Sequence, residues 1–391
     1  MDNKVPLSKE MCTGCTACAN ICPVNAIKMQ RDSEGFLYPE IDKSICISCE
    51  LCVNNCNFCK EKIKQDSNEN KNCYLAKHKR KDVRMNSRSG GIFVACSDWI
   101  LEQNGTVYGC VLNDDMEAIH IRATNKQDRD KMCKSKYVQS NLVKVFSQVK
   151  DDLNSEKLVL FSGTTCQIDG LFSYLKYNKV NLEKLYTIDL VCHGCASPKI
   201  FESYVKWIEK KYKTNIEKFD FRDKEVCGWD GHIESYIVNG KKKTSTIYRE
   251  IFYTNLCLRP ACYKCKYSTI DRNTDLTIAD AWGVKQTVLE FYDNLGTSMF
   301  LVQSNKGMQL LEIIKKSCEI IEVPLEKMMQ PNLKNPSKPK GNRETFWEDF
   351  YNGGIETVIR KYGKMKLSKN IKEKAKYKIR KIMLGKKIYL P

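Results

Sequence analysis

Four cysteines, Cys12, Cys15, Cys18 and Cys22, follow one another as C-x2-C-x2-C-x3-C with Pro23 behind the last, and Cys46, Cys49, Cys52 and Cys56 repeat the same spacing. Three closely spaced cysteines on a tight loop present thiolates to three corners of one iron–sulfur cubane, whereas the fourth begins a helix that leads away from it. The pattern therefore predicts two [4Fe-4S] clusters with crossed ligation. Cys12, Cys15, Cys18 and Cys56 hold one, and Cys46, Cys49, Cys52 and Cys22 hold the other, so that the clusters lie close together. Zinc also takes four thiolates, usually from pairs of C-x2-C units. A zinc ribbon, however, needs neither a third cysteine at the next step nor a fourth at x3, duplicated with identical offsets.

The segment resembles a bacterial two-cluster ferredoxin. It departs from that family at Asn57, where proline is usual, and leaves the ligands intact. Twenty-one cysteines raise the alternative of a disulfide scaffold, but such scaffolds are short and secreted. This chain has 391 residues, an odd number of cysteines and no apolar leader before Cys12. Reduced thiols and metal in a cytoplasmic protein are the expectation, with no apolar run long enough to span a bilayer.

The polar stretch KEKIKQDSNENKN closes a ferredoxin domain at residues 1–60 and reads as a linker over 61–72. From residue 73, strand-like runs at 106–112 and 157–163 alternate with helix-like runs at 91–103, 142–153 and 197–212. This is the pattern of an α/β domain, expected to extend to residue 350. In HIESYIVNGKKKTSTIYR the apolar residues alternate around Asn239 and Gly240, a hairpin signal that predicts a mixed sheet, not a purely parallel one. The expected fold class is thus an α+β ferredoxin-like domain, then a mixed-sheet α/β domain and, over 351–391, a basic helical tail.

Of the net charge of +18, much is concentrated in residues 365–391, which hold ten Lys or Arg against one Glu. Ile371, Ala375, Ile379, Ile382 and Met383 recur there at helical spacing. A basic amphipathic helix on the inner, anionic face of a membrane has this pattern, and so does a solvated terminal helix. Nucleic acid is not an expected partner, because no nucleic-acid module is recognisable and the charge is not spread over a motif-bearing face.

Beyond the repeat, cysteines stand in GTTCQ (Cys166), DLVCHG (Cys192) and ACYKC (Cys262 and Cys265). The first two follow strand-like runs, KLVLFSG and LYTIDLV, and so fall at carboxyl ends of strands, where α/β sheets place ligands. Cys257, Cys262 and Cys265 also make C-x4-C-x2-C, the spacing of plant-type binuclear clusters, but a fourth ligand would have to come from far away. Ser89, Gly90 and Gly91 precede a helix-like run, where free amides can face a phosphate or the glycines can simply make a turn. No GxGxxG fingerprint supports a nicotinamide cofactor.

SRSGG at 87–91, SKYVQS at 135–140, GTTCQ, DLVCHG, FRDKEVCGW, CYKC and TDLTIADAWG, in this order, resemble successive blocks of the coenzyme F420 hydrogenase/dehydrogenase beta subunit family. The resemblance covers residues 1 to about 330, including the fused ferredoxin that many bacterial members carry. It implies FAD and a third [4Fe-4S] cluster held by Cys166, Cys192, Cys262 and Cys265, with Cys195 and Cys257 as the nearest substitutes. Lys136, Tyr137 and Thr164 join Ser89, Gly90 and Gly91 as nominated FAD contacts. Thr165 stands where relatives often have proline, and Asp280 and Trp282 either line the flavin site or close a strand. The implied activity is that of an oxidoreductase. Electrons from a reduced ferredoxin-like donor pass through the clusters to FAD and on, as hydride, to a small organic acceptor. The alternative is a non-catalytic subunit that hands electrons to a partner enzyme.

Overall fold

The computed structural model describes residues 8–58, 72–142 and 144–364. Nearly all of the expected linker, and residues 365–391 of the expected basic tail, lie outside them; the expected boundary at 350 falls inside the helix Arg343–Tyr362, whose Val358 is buried in a core of the folded domain. Thirteen strands run in chain order among the described residues: β1 Ile27–Arg31, β2 Leu37–Ile41, β3 Cys73–His78, β4 Thr106–Leu112, β5 Ala118–Ala123, β6 Val159–Gly163, β7 Leu185–Leu190, β8 Lys218–Asp220, β9 Glu234–Val238, β10 Lys241–Ser245, β11 Leu276–Asp280, β12 Ser298–Val302 and β13 Cys318–Val323.

Eight of them form one mixed sheet in the order β13-β3-β12-β11-β7-β6-β4-β5. The middle four, β11, β7, β6 and β4, are parallel, while β12, β3, β13 and β5 run antiparallel to their neighbours. Alternation along each strand supplies two apolar faces. In β6, Leu160 enters the layer beneath helices Ile92–Glu102 and Asn305–Ser317. Its neighbours Val159 and Phe161 enter the opposite layer, beneath Val145–Asn154 and Thr165–Tyr177. Short polar starts set the helices: the Ser304 side chain accepts from the Gly307 amide, and Ser197 from Ile200 ahead of Pro198 at the first turn.

The hairpin foreseen at Asn239 and Gly240 forms between β9 and β10, with φ of 50° and 65° at its two turn residues. It does not, however, make the main sheet mixed. β8, β9 and β10 form a separate three-stranded sheet. Tyr236 and Val238 of β9 pack into a third core with helices Pro198–Tyr212, Ile247–Tyr253 and Arg343–Tyr362. The expectation thus reached a true conclusion about the main sheet for the wrong reason. Alternation reports a half-buried strand without saying which sheet it joins.

The ferredoxin-like segment has one antiparallel pair, β1 and β2, and two short helices, Ala17–Ile21 and Leu51–Asn54. Ala17 and Ile21 are buried in the same core as Ile168 and Leu171 of helix Thr165–Tyr177. Burying one isoleucine in this way contributes roughly 2 kcal/mol. Polar ties add to the seam. Arg343 donates to the Glu34 carboxylate, Gln139 Nε2 to Thr13 O at 2.9 Å, and Lys266 Nζ to Asn57 O at 2.6 Å. Asn57, the departure from the ferredoxin pattern, also donates through Nδ2 to Asp169 O at 2.9 Å. It therefore serves as a tether between the two parts.

Candidate redox centre

Both cysteine loops are curled by left-handed backbone at equivalent positions. Gly14 and Thr16 (φ 69° and 65°) flank Cys15, and Ser48 and Glu50 (φ 53° and 57°) flank Cys49. Non-glycine residues seldom adopt this conformation, and where they do the strain usually serves a site. Here it turns successive cysteines to one side of each loop. Gly14 is required as glycine, because a Cβ would lie 2.8 Å from Arg259 Nη1 and 3.0 Å from Leu37 O.

Cys12, Cys15, Cys18 and Cys56 share the wall of one cavity. Cys22 is not part of that wall. It lies near Cys52 instead, whose proton affinity is raised by burial first and then by the charges of Cys49 and Cys22. The structure thus brings Cys12, Cys15, Cys18 and Cys56 together and sets Cys22 near Cys52, with Cys49 exposed and Cys46 half-buried. Burial pushes the Cys15 thiol up to about 12, with Cys12 and Cys56 adding to it, and Cys18 rises for the same reasons. A bound metal cation would displace these protons, since the thiolate is the ligand. Among the described residues no three His, Cys, Asp or Glu side chains converge on a single-ion position. Cys12, Cys15, Cys18 and Cys56 surround a space, as ligands of a cubane would.

A second cavity adjoins the first, and Thr13 and Cys166 line both. GTTCQ proves to be a helix start. Thr164 caps helix Thr165–Tyr177 through a capping box with Gln167, whose Oε1 accepts from the Thr164 amide at 3.0 Å. This puts Cys166 in the first turn. Cys192 comes two residues after β7, and Cys262 and Cys265 sit on the 3-10 turn Pro260–Lys264 and just behind it. All four line the second cavity, and Cys195 joins them as a fifth thiol. The Cys195 thiol interacts with both Cys192 and Cys262, which must share its single proton. That contact is the main reason both are lowered, Cys262 to about 7, while Cys195 is raised. Backbone amides help, from Gly194 to Cys192 Sγ at 3.3 Å and from Cys195 to Cys262 Sγ at 3.4 Å. Cys257 packs into the third core. Thr165, in the place of proline, hydrogen-bonds through Oγ1 with Asp189 and Arg272, a pair fully buried at 3.0 Å.

The third cavity, about 390 Å³, lies at the carboxyl ends of β6, β7 and β11 and shares Thr164, Cys192, Gly194 and Cys195 with the second. Ser89, Gly91, Lys136, Tyr137 and Thr164 line it, whereas Gly90 does not. Gly90 packs against the sheet: its amide donates to Ser298 Oγ at 2.8 Å, and a Cβ would stand 2.1 Å from Ala76 O. The Lys136 ammonium is turned onto backbone carbonyls, Cys133 O at 2.7 Å and Met132 O at 2.9 Å among them. What the sequence reading passed over is Arg88, inside SRSGG, and Arg222. Both guanidiniums lie over the Trp282 ring, at 5.9 and 5.0 Å, and that ring stacks on Trp229. Burial alone would raise the Asp280 carboxyl, but Arg88 and Arg222 outweigh it and hold it below the usual range. Arg88 Nη1 is buried with no hydrogen-bond partner. Helix Ile92–Glu102 starts at Gly91 (φ 92°) without a side-chain cap. Two guanidiniums, one carboxylate, free helix amides and an exposed indole suit a large, flat, anionic cofactor.

Residues 156–327 match the family described as the C terminus of the coenzyme F420 hydrogenase/dehydrogenase beta subunit, and residues 11–59 match the 4Fe-4S dicluster domain. No curated protein matches the chain. Among solved structures, a chain of the F420-reducing [NiFe] hydrogenase complex from Methanosarcina barkeri, in a xenon-derivatised form, is similar at 17% identity and a TM-score of 0.44, over 72% of this chain and 92% of that one. The chain thus joins an iron–sulfur module of the electron-transfer type, over residues 11–59, to a segment, residues 156–327, that matches the coenzyme F420 hydrogenase/dehydrogenase beta subunit family.

Proposed function

We propose that this chain is an iron–sulfur flavoprotein oxidoreductase that takes electrons from a reduced, low-potential ferredoxin-like donor and delivers them to an organic acceptor as hydride. The observation that carries the reading is the run of adjoining cavities. The Cys12 set shares Thr13 and Cys166 with the second cavity, which in turn shares Cys192 and Cys195 with the third. The two N-terminal sets and Cys166, Cys192, Cys262 and Cys265 would hold three [4Fe-4S] clusters, and the third cavity would hold FAD. Clusters exchange electrons singly, and a flavin converts single electrons into hydride.

The chain's own residues arrange the rest. The exposed loop at Cys49 gives a donor protein its closest approach. Gly91 and Arg88, whose Nη1 has no hydrogen-bond partner, would present donors to the cofactor's phosphates, while the half-exposed Trp282 borders the same wall. Phe252 and Tyr253 close part of the wall against water. Oxygen-free purification of the full chain should yield about twelve irons and one FAD. Zinc in place of iron, or no flavin, overturns the proposal. A second reading, a non-catalytic subunit serving a partner enzyme, is favoured by the description of the matched family as a beta subunit. Bleaching of a deazaflavin or another small acceptor by the isolated, reduced chain supports the enzyme; flavin reduction that stops there supports the subunit.

A further inference from the structure

Arg259 is the most deeply buried arginine outside an ion pair. It is 1% exposed, and among the described residues no carboxylate pairs with it. Its Nε donates to Cys12 O at 2.7 Å, Nη1 to Gln139 Oε1 at 2.9 Å and Nη2 to Leu37 O at 2.9 Å. Nη2 also points at Cys12 Sγ from 3.7 Å. Its guanidinium lies 4.1 Å from the Tyr38 ring centroid and 5.4 Å from that of Phe36. On the other side Arg259 lines the second cavity together with Cys262. Its amide donates to Cys195 O, and its carbonyl accepts from the Cys262 amide, both at 2.9 Å.

A buried cation with only neutral partners costs several kcal/mol unless an anion compensates it. The contrast with Arg272 is direct, because Arg272, in the same wall, is matched by the buried Asp189 at 3.0 Å. Among the described residues, the anionic chemistry facing Arg259 is sulfur: the Cys12 set on one side and the Cys262 set on the other. A cubane held by four thiolates is itself an anion and gains a further negative charge on reduction. Cluster potentials respond to nearby charge and to hydrogen bonds at sulfur.

We propose that Arg259 is a positioning and tuning residue, a single buried counter-ion shared by the cluster at Cys12, Cys15, Cys18 and Cys56 and the cluster in the second cavity, which raises the reduction potential of both. The inference rests on the cluster assignment above; iron and sulfide content tests that assignment, and potentials test this one. Since the guanidinium serves the inner two sets and not the exposed Cys46–Cys49 loop, its loss has a distinct signature.

The test is an EPR-monitored potentiometric titration of the anaerobically purified full chain, wild type against Arg259→Gln and Arg259→Lys. In Arg259→Gln two of the three cluster potentials fall and the third stays, while Arg259→Lys recovers part of the shift by restoring the charge. Potentials that stay in place, or that all move together as in a general loosening, overturn the proposal. Should Arg259→Gln fail to assemble its clusters, wild-type protein carrying 15N-arginine decides the matter by HYSCORE of the reduced clusters. A 15N coupling to the spin at the Cys12 set is expected, and its absence overturns the assignment.

Discussion

His120 forms part of the third cavity's wall, stacked on Phe161 with ring centroids 5.5 Å apart, between Ser162 O at 3.1 Å and Ser140 Oγ at 3.0 Å. Burial lowers it from 6.5 to about 4, so the imidazole is neutral in the folded protein. The unfolded chain takes up the proton first as pH falls. Stability is therefore complete above about pH 6.5 and declines toward pH 4, by on the order of 3 kcal/mol over the whole window. Denaturant unfolding under argon at pH 7.5 and 5.5 should show the wild type losing about 1 kcal/mol more than His120→Asn over that interval; equal losses would rule the histidine out. The fifth thiol permits a second test at this scale. Cys195→Ala should keep its full iron content, whereas Cys192→Ala should lose roughly a third of it, one cluster in three. Ligand types and spacings were readable in the sequence, because cubane chemistry fixes them locally. Arg88, Arg222 and Arg259 were not, since each acquires its meaning from partners far away in the chain, Trp282 or Cys12, that only folding supplies.

Helix Thr165–Tyr177 carries Cys166 at its start and, one turn on, Gly170, against which Cys15 packs. A Cβ at Gly170 would stand 2.7 Å from Cys15 Cβ and 2.9 Å from its Sγ. This close approach is what lets the first and second cavities share a wall. Gly170→Leu must push the helix from the Cys15 loop, at an overpacking cost of about 1–3 kcal/mol. Iron content should persist while flash-induced electron passage from the N-terminal module to the proposed flavin slows; an unchanged rate would show that the contact is incidental. Elements with strong local signals, such as β4 and helix Pro198–Tyr212, match the runs read from the sequence almost residue for residue. Helix Val145–Asn154 starts three residues later than its run, and the hairpin at Asn239 joined a sheet of its own. Periodicity specifies a face, but pairing is decided by which core receives it.

At the level of the whole molecule, the net charge of +18 should attract an acidic donor protein from a distance. Stopped-flow reduction by such a donor is expected to slow steeply from 50 to 500 mM salt, as the Debye length shrinks below about 10 Å, with no change when a small uncharged reductant is used. A salt-independent rate would place recognition in apolar contact instead. With Cys22 and Cys56 crossed as proposed, each cysteine run would contribute to both N-terminal clusters, so neither cluster would have a loop entirely to itself. Oxygen reaching the exposed Cys49 side would not strip one cluster and spare the other: the released Cys22 lies one residue beyond the helix Ala17–Ile21 that follows Cys15, and the inner cofactor loses its footing as the outer one dissolves. Repair and assembly should accordingly proceed as a single cooperative event, with half-loaded modules too short-lived to collect.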